Sequence, residues 1–330
     1  VKRFIRIIKS KLALFLLLLF VFIYLNNSSL FTEQRSGDPL LLAHRGLAQT
    51  FSMEGITGDT CTAERIYEPE HPFLENTIPS MKAAFEAGAD IVELDIKPTK
   101  DGQFAVFHDW TLDCRTNVQG KVGDFTLAEL KKMDIGYGYT ADQGQTYPFR
   151  GKGIGLMPSL EEVLAYFPDK PLLIHIKSND PQEGGHLARY LETLPDNRLQ
   201  QLTVYGGDEP IGTLQSSLPG IRVMSLATMK SCLLPYLAAG WTGYVPSACE
   251  NTQLHIPEKI APWLWGWPDR LLNRMDRANT RVIVVGGSGS DFSSGFDTPQ
   301  DIERLPGGFT GGIWTNRIDR IAPLYQNEGN

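Results

Sequence analysis

The chain has little cysteine and no pattern that would turn its cysteines into a metal site. Only Cys61, Cys114, Cys232 and Cys249 occur in 330 residues, with no Cys-x-x-Cys pair and no zinc-like spacing. A thiolate metal centre is thereby excluded. In an exported protein the even count permits disulfides in three pairings, with buried thiols as the alternative. A Cys61–Cys114 bridge would tie a loop to the segment after His108. The body also lacks a basic block. Set aside the five positive charges of residues 1–11, and the net charge of −7 becomes −12. An acidic body without a basic patch excludes nucleic acid as the main partner. No linker rich in Pro, Gly or Ser divides the chain, and no Ser, Cys or Lys nucleophile motif is present. The glycine-rich stretch VVGGSGSDF (284–292) lacks the GxGxxG spacing and a following helix, and reads as a strand running into a loop.

The N-terminus differs from the rest. Lys2, Arg3, Arg6, Lys9 and Lys11 precede LALFLLLLFVFIYL (12–25), an unbroken apolar run. Fourteen residues suit the core of a secretory signal and are short for a span, which needs roughly 20. No small-residue cleavage site follows, so the reading favoured is an uncleaved, single-pass membrane anchor. A cleaved signal is the alternative. Either leaves the positive end in the cytoplasm and the remainder extracytoplasmic. Residues 1–31 are then the basic N-terminus and anchor, and 32–330 one catalytic domain.

From residue 39 onward, short apolar runs alternate with helical patterns. The strands expected are 39–44, 90–97, 104–108, 172–177, 202–206, 222–227, 243–247, 281–285 and 311–315. Helices are expected near 77–88, 126–133, 159–167, 184–194, 229–239 and 267–279. Pro79 early and Gly88 late mark the first of these, and Ser159-x-x-Glu162 is a capping box. Mostly apolar strands between amphipathic helices predict a parallel sheet and a TIM-type (β/α)8 barrel, with a doubly wound sheet as runner-up. Residues 47–74 and 135–155 lack periodicity and read as long loops, which usually serve a function.

Residues 91–109, IVELDIKPTKDGQFAVFHD, carry the strongest chemical signal. Glu93, Asp95 and Lys97 alternate along an apolar strand and so share one face. Two carboxylates there are costly to desolvate unless compensated, and a divalent cation with oxygen ligands does this well. His44 and Arg45 end the first strand, His108 ends the run after Phe104, and His175 and Lys177 end LLIHIK. In a (β/α)8 barrel, C-terminal strand ends meet at one mouth. Two histidines supply an acid and a base, a cation polarises oxygen, and Arg45 and Lys177 suit an anionic phosphoryl transition state. Phosphodiester cleavage follows. His71, His186 and His255 have no such neighbours and read as surface residues, and the Glu250-Asn251-Thr252 repeat of an earlier triplet reads as chance. Three tryptophans in PWLWGWP (262–268) read as packing beneath a helix.

HRG (44–46), ENT (75–77), GADIVELDIKPTKDGQFAVFHD (88–109), PSLEEVL (158–164) and GGIWTN (311–316) together resemble the glycerophosphodiester phosphodiesterase family. The resemblance implies a TIM-type barrel, a divalent metal, and hydrolysis of glycerophosphodiesters to glycerol 3-phosphate and an alcohol. By position it implies His44 and His108 as the acid–base pair, Arg45 and Lys177 as phosphate contacts, and Glu93 and Asp95 as metal ligands. Glu75 falls where the family has a site glutamate that orients the arginine. The family usually spells the strand before Lys177 with Glu, whereas this chain has His175. A nitrogen ligand and one less negative charge shift the expected preference from Ca²⁺ toward Mg²⁺ or Mn²⁺. His44 and Glu75 also stand further apart than usual, which makes 47–74 an insertion over the mouth. A lysophospholipase D-like action on intact lipid and an inactive binding module are the alternatives.

Overall fold

The structure, a computed structural model, describes residues 2–32, 35–57, 60–288 and 294–326, with side chains from residue 11 onward except Phe31. Nine strands form one sheet: β1 (Leu40–Ala43), β2 (Ile91–Pro98), β3 (Phe104–Val106), β4 (Leu172–Ile176), β5 (Leu202–Gly206), β6 (Arg222–Met224), β7 (Gln253–Pro257), β8 (Arg281–Val285) and β9 (Gly312–Thr315). Eight of them run parallel in the order β6-β5-β4-β2-β1-β9-β8-β7. A single parallel bridge, Val223 to Thr252, joins the two ends of that order. Thr252 Oγ1 donates to the Val223 carbonyl at 2.7 Å, and Val223 N–H donates to Asn251 O at 3.2 Å. The result is a nearly closed barrel of the TIM type, so the Glu250–Thr252 triplet closes the ring.

Strand alternation sorts the residues. Leu42, Ile91, Leu173, Ile283 and Trp314 form the apolar cluster of the barrel interior. Two residues further along β2 and β4 come Glu93 and His175, so polar groups lie above that apolar floor. The opposite faces of the strands, including Leu41, Val92, Leu94, Ile174 and Val204, pack against the surrounding helices. The helix Ile78–Ala87 begins with a capping box between Thr77 and Ser80 and ends at Gly88 in the left-handed region. The Ser159–Glu162 box is present as expected at the helix Leu160–Tyr166.

Three expectations need correction. Residues 243–247 are not a strand: the chain there runs into a short turn, Ser247–Cys249, and the sixth barrel strand is β7. Pro246 removes a ladder donor, while the inward positions Gln253 and His255 disguised β7 as polar. Residues 104–106 pair antiparallel with the end of β2, outside the barrel ring. Finally, no helix among the described residues is long and apolar enough to cross a membrane. The helix Lys2–Asn27 has described side chains only from Lys11, and their apolar stretch is shorter than the roughly 20 residues a span needs. Its end is fastened to the body, with Asn26 and Asn27 donating to Trp241 O and Arg274 donating to Asn26 O. The glycine-rich stretch begins in β8, and its residues 289–292 lie outside the described residues.

The two long loops share a second apolar core. Ala63, Ile66 and Leu74 of the insertion pack with Phe107, Leu112, Leu130, Tyr139, Phe149 and Met157. The disulfide Cys61–Cys114 ties them, and Cys232–Cys249 links the helix Leu226–Ala239 to the turn before β7. Cys61 and Cys114 are 53 residues apart. Closing a loop of that size restricts the unfolded chain, so the double variant C61S/C114S is expected to lose about 2–4 kcal/mol in urea unfolding. A loss below about 0.5 kcal/mol would show that the bridge adds nothing to the loop core.

Candidate active site

His44 follows β1 at the barrel mouth. Its ring lies 4.8 Å from that of Trp314, and its Nδ1 is 2.7 Å from Asn316 Oδ1. Asn316 is held in turn by Asp297, which accepts from its backbone N–H at 2.7 Å and its side-chain amide at 2.9 Å. An amide oxygen can only accept, so Nδ1 carries the proton and Nε2 presents a lone pair. Burial first, then the Arg45 charge, lowers the His44 pKa well below the ordinary histidine value.

Arg45 takes a left-handed backbone, φ 58°. Gly46 follows at φ 81°, where a Cβ would strike Ser80. This sharp turn folds the Arg45 guanidinium back under the mouth. The Arg45 backbone N–H donates to Glu93 Oε2, side-chain Nη1 donates to Glu75 Oε1 at 3.1 Å, and Nε lies 3.1 Å from Asp95 Oδ2 as an ion pair.

Glu93 and Asp95 are fully buried side by side on β2. Tyr205 OH donates to Glu93 Oε1 at 2.7 Å, and Asn76 both donates to Asp95 Oδ2 and accepts from Asp95 N. His175 on β4 places Nδ1 2.8 Å from Asp95 Oδ1 and 3.8 Å from Glu93 Oε1, stacked on Tyr205 at 4.0 Å. Burial and then the Asp95 charge push the Glu93 pKa up. Burial would also raise Asp95, but Arg45, His108 and His175 hold it well below the usual carboxylate range. Burial takes His175 down to about 4, so its ring is neutral. Ligand atoms of Glu93, Asp95 and His175 all lie within 4.8 Å of one another. Two buried carboxylates that repel each other, beside a neutral imidazole, fit a small divalent cation that accepts nitrogen.

His108, after β3, has a different partner. Its Nδ1 is 2.6 Å from Asp109 Oδ1, and its Nε2 is 2.9 Å from Lys177 Nζ. Arg115 donates to Asp109 Oδ2 at 2.8 Å and reaches Glu75 Oε2 at 3.3 Å, Tyr139 and Thr62. Burial would raise Asp109, but Arg115 and His108 hold it far below the carboxylate range.

His44, Arg45, His108, His175 and Lys177 line one cavity of about 770 Å³, with Glu93 and Asp95 beneath it. Glu75 stands behind Arg45 and lines an adjoining cavity instead. Lys97, third on the β2 face, is buried over the Trp110 ring at 3.0 Å and makes no hydrogen bond to the described residues. Burial, then Lys177, takes its pKa down to about 7. His71 braces the insertion through Gln49, and His186 packs on Phe104. His255 corrects a surface assignment: it lines the cavity, 5.2 Å from the Trp314 ring, and burial pushes it down to about 3. Asn76, Tyr205, Asn316, Asp109 and Arg115 are the positioning groups that sequence reasoning passed over. Tyr205 and Asn316 had a signal, since both end apolar strands; Arg115 had none, because it lies in irregular chain.

The glycerophosphoryl diester phosphodiesterase family model matches residues 44–199. A glycerophosphodiester phosphodiesterase of Caldanaerobacter subterraneus is 46% identical over 103 residues, covering 31% of this chain and 39% of that protein. A lysophospholipase D of Mus musculus is 32% identical over 137 residues, covering 40% of each. The matched region spans about two fifths of the length of the curated phosphodiesterase relatives that are more than 40% identical to it. Among solved structures, a glycerophosphodiester phosphodiesterase from Agrobacterium tumefaciens superposes with a TM-score of 0.55 at 22% identity, covering 86% of this chain and 99% of that one. This last likeness speaks to the barrel fold.

Arg115 is the cation between two carboxylates, Glu75 and Asp109, and is itself buried. Arg115→Met is expected to cost about 3–5 kcal/mol in urea unfolding, because each buried acid loses one of its two partners, Glu75 keeping Arg45 and Asp109 keeping His108. A cost under about 1 kcal/mol would mean that water already compensates them.

Proposed function

We propose, on the premise that this chain belongs to the glycerophosphoryl diester phosphodiesterase family, that it hydrolyses glycerophosphodiesters to glycerol 3-phosphate and an alcohol. The observation that carries the reading is the single cavity where two differently held histidines face Arg45 and Lys177 above a carboxylate pair. Glu93, Asp95 and His175 would hold a divalent metal, which supplies Lewis-acid polarisation of a phosphoryl oxygen when bound. Arg45 and Lys177 bring fixed positive charge to the diester.

The two histidines divide the proton work by their partners. His44 is oriented by a neutral amide with Nε2 bare, the arrangement of a base that takes a proton from water. Burial and then the Arg45 charge lower the His108 pKa, and the Asp109 carboxylate behind it works against this by stabilising an imidazolium. His108 therefore suits the acid that gives a proton to the departing alkoxide. Lys177, 2.9 Å from His108 Nε2, turns from that nitrogen to the phosphate when substrate enters. We place residues 32–330 as one catalytic unit on the extracytoplasmic side. Both disulfides support this placement, since such bonds persist in oxidising compartments.

His44→Asn and His108→Asn are each expected to lower kcat about a hundred- to ten-thousand-fold on glycerophosphocholine. On a p-nitrophenyl diester, whose leaving group needs no proton, His108→Asn regains most of its rate and His44→Asn does not. Equal rescue of both would reverse or erase the assignment. After chelation, Mg²⁺ or Mn²⁺ is expected to restore turnover while Ca²⁺ is a poor activator, because His175 replaces a carboxylate. Activation chiefly by Ca²⁺ in a metal titration would refute this.

A further inference from the structure

The end of the barrel opposite the catalytic mouth gathers positive charge that no single stretch of the sequence displays. Arg222 opens β6 and Arg281 opens β8, and both line a cavity of about 170 Å³ at the N-terminal ends of the strands. Arg35 and Asp276 line it too and form an ion pair, so their charges cancel. Arg222 and Arg281 are half-buried and have only neutral acceptors among the described residues. Arg222 donates to Asn279 O at 3.3 Å and to Asn279 Oδ1 at 2.6 Å. Arg281 Nη1 donates to Thr203 Oγ1 at 3.2 Å and to Gln253 Oε1 at 3.3 Å. Asp90 acts on Arg281 through space, but its carboxylate accepts from Leu41 N–H at 2.7 Å. Burial, then the Arg222 charge, takes the Arg281 pKa down to about 9.

The position of this pair matters because the ring closes there by the least pairing. Val223 to Thr252 is the single bridge between β6 and β7. Arg222, the residue before Val223, reaches from β6 over that seam to Asn279, ahead of β8. Arg281 reaches the other way, from β8 to Thr203 on β5, which is the register partner of Arg222. Two cations thus lean over the seam from opposite sides and repel each other across it.

We propose that an inorganic oxyanion, sulfate or phosphate, binds between Arg222 and Arg281 and fastens the seam between β6 and β7. A guanidinium presents paired N–H groups that match two oxygens of such an ion, a geometry that chloride cannot use. The cavity, at about 170 Å³, is well below the roughly 300 Å³ at which sites for organic ligands begin, and so suits an ion. Thr310 adds a donor from the wall: its Oγ1 accepts from Arg35 Nε at 2.8 Å, which leaves the hydroxyl proton for an oxygen of the ion. With the ion between them, the two arginines are drawn to one centre, and opening the seam requires its loss. The inference stands apart from the phosphodiesterase reading, because this cavity and the catalytic one have no lining residue in common.

Amide hydrogen exchange on the full chain tests this at the seam itself. Val223 N–H donates to Asn251 O and Arg281 N–H to Thr252 O, so both amides report its opening. Sulfate is expected to slow their exchange about tenfold at ten times its Kd, relative to chloride at equal ionic strength, because only the closed seam binds the ion. Arg222→Gln and Arg281→Gln are each expected to abolish the slowing, with melting in chloride checking that each folds; either variant alone decides the point. Lys177→Met, at the catalytic mouth, is expected to keep it. Unchanged exchange in the wild-type chain overturns the proposal, and so does slowing that survives both arginine variants. Slowing that disappears in Lys177→Met places the ion at the catalytic mouth and overturns the seam site. Inorganic phosphate is expected to act as sulfate does, and glycerol 3-phosphate no more strongly. A stronger effect of the ester makes the occupant an organic phosphate and overturns the free ion.

Discussion

Two carboxylates buried side by side are the constraint on which the mouth of this barrel depends. Glu93 and Asp95 project from alternate positions of one strand and have no access to solvent. Each carries a desolvation cost of several kcal/mol, by order of magnitude, and each opposes ionisation of the other. No single partner offsets this. Arg45 reaches both, Tyr205 serves Glu93, and Asn76 and His175 serve Asp95. These partners come from four different stretches of chain, so the pair is satisfied only when the barrel has assembled. Any charged group that bound there would meet a site already arranged around negative charge, with Arg45 and Lys177 beside it.

The rest of the site is a matter of what stands behind each group. His44 and His108 are the same residue type at the same mouth, and an amide behind one and a carboxylate behind the other make them unequal. The carboxylate behind His108 is steadied by Arg115, which reaches across to Glu75 and so to Arg45. Arg115 belongs to the loop core, far from the apolar floor of the barrel. The insertion and the long loop thus do more than cover the mouth: their packing sets the position of His108, one of the two histidines held there by unlike partners.

Much of this was legible in the residues and some was not. β2 could be read because Glu93, Asp95 and Lys97 interrupt an apolar strand at strict alternation, which puts all three on one face. The helix starts at Thr77 and Ser159 could be read because capping is local chemistry. β7 escaped because its inward residues, Gln253 and His255, are polar for the sake of the cavity, so functional demand overrode the apolar signature of a strand. The decoy at 243–247 had the right composition, but its proline and the tie from Cys249 to Cys232 bend it into a turn. Arg115, in irregular chain, could not be assigned from periodicity at all. The pairing of Cys61 with Cys114 was one of three possibilities until the loop core brought them together.

The junction between β2 and β3 has a consequence for how this chain can vary. Ile96, Lys97 and Pro98 pair with Val106, Ala105 and Phe104, and Phe107 N–H donates to Asp95 O at 3.0 Å. His108 therefore stands at a fixed count from Asp95, with the exposed turn around Lys100 to Gly102 between them. Exposed turns are ordinarily where a lineage gains and loses residues most freely. Here a one-residue slip of the returning strand against β2 would turn its faces over and carry His108 away from the mouth. The pairing of Ile96 to Pro98 with Phe104 to Val106, and not the turn open to water between them, thus sets where the two inner groups stand.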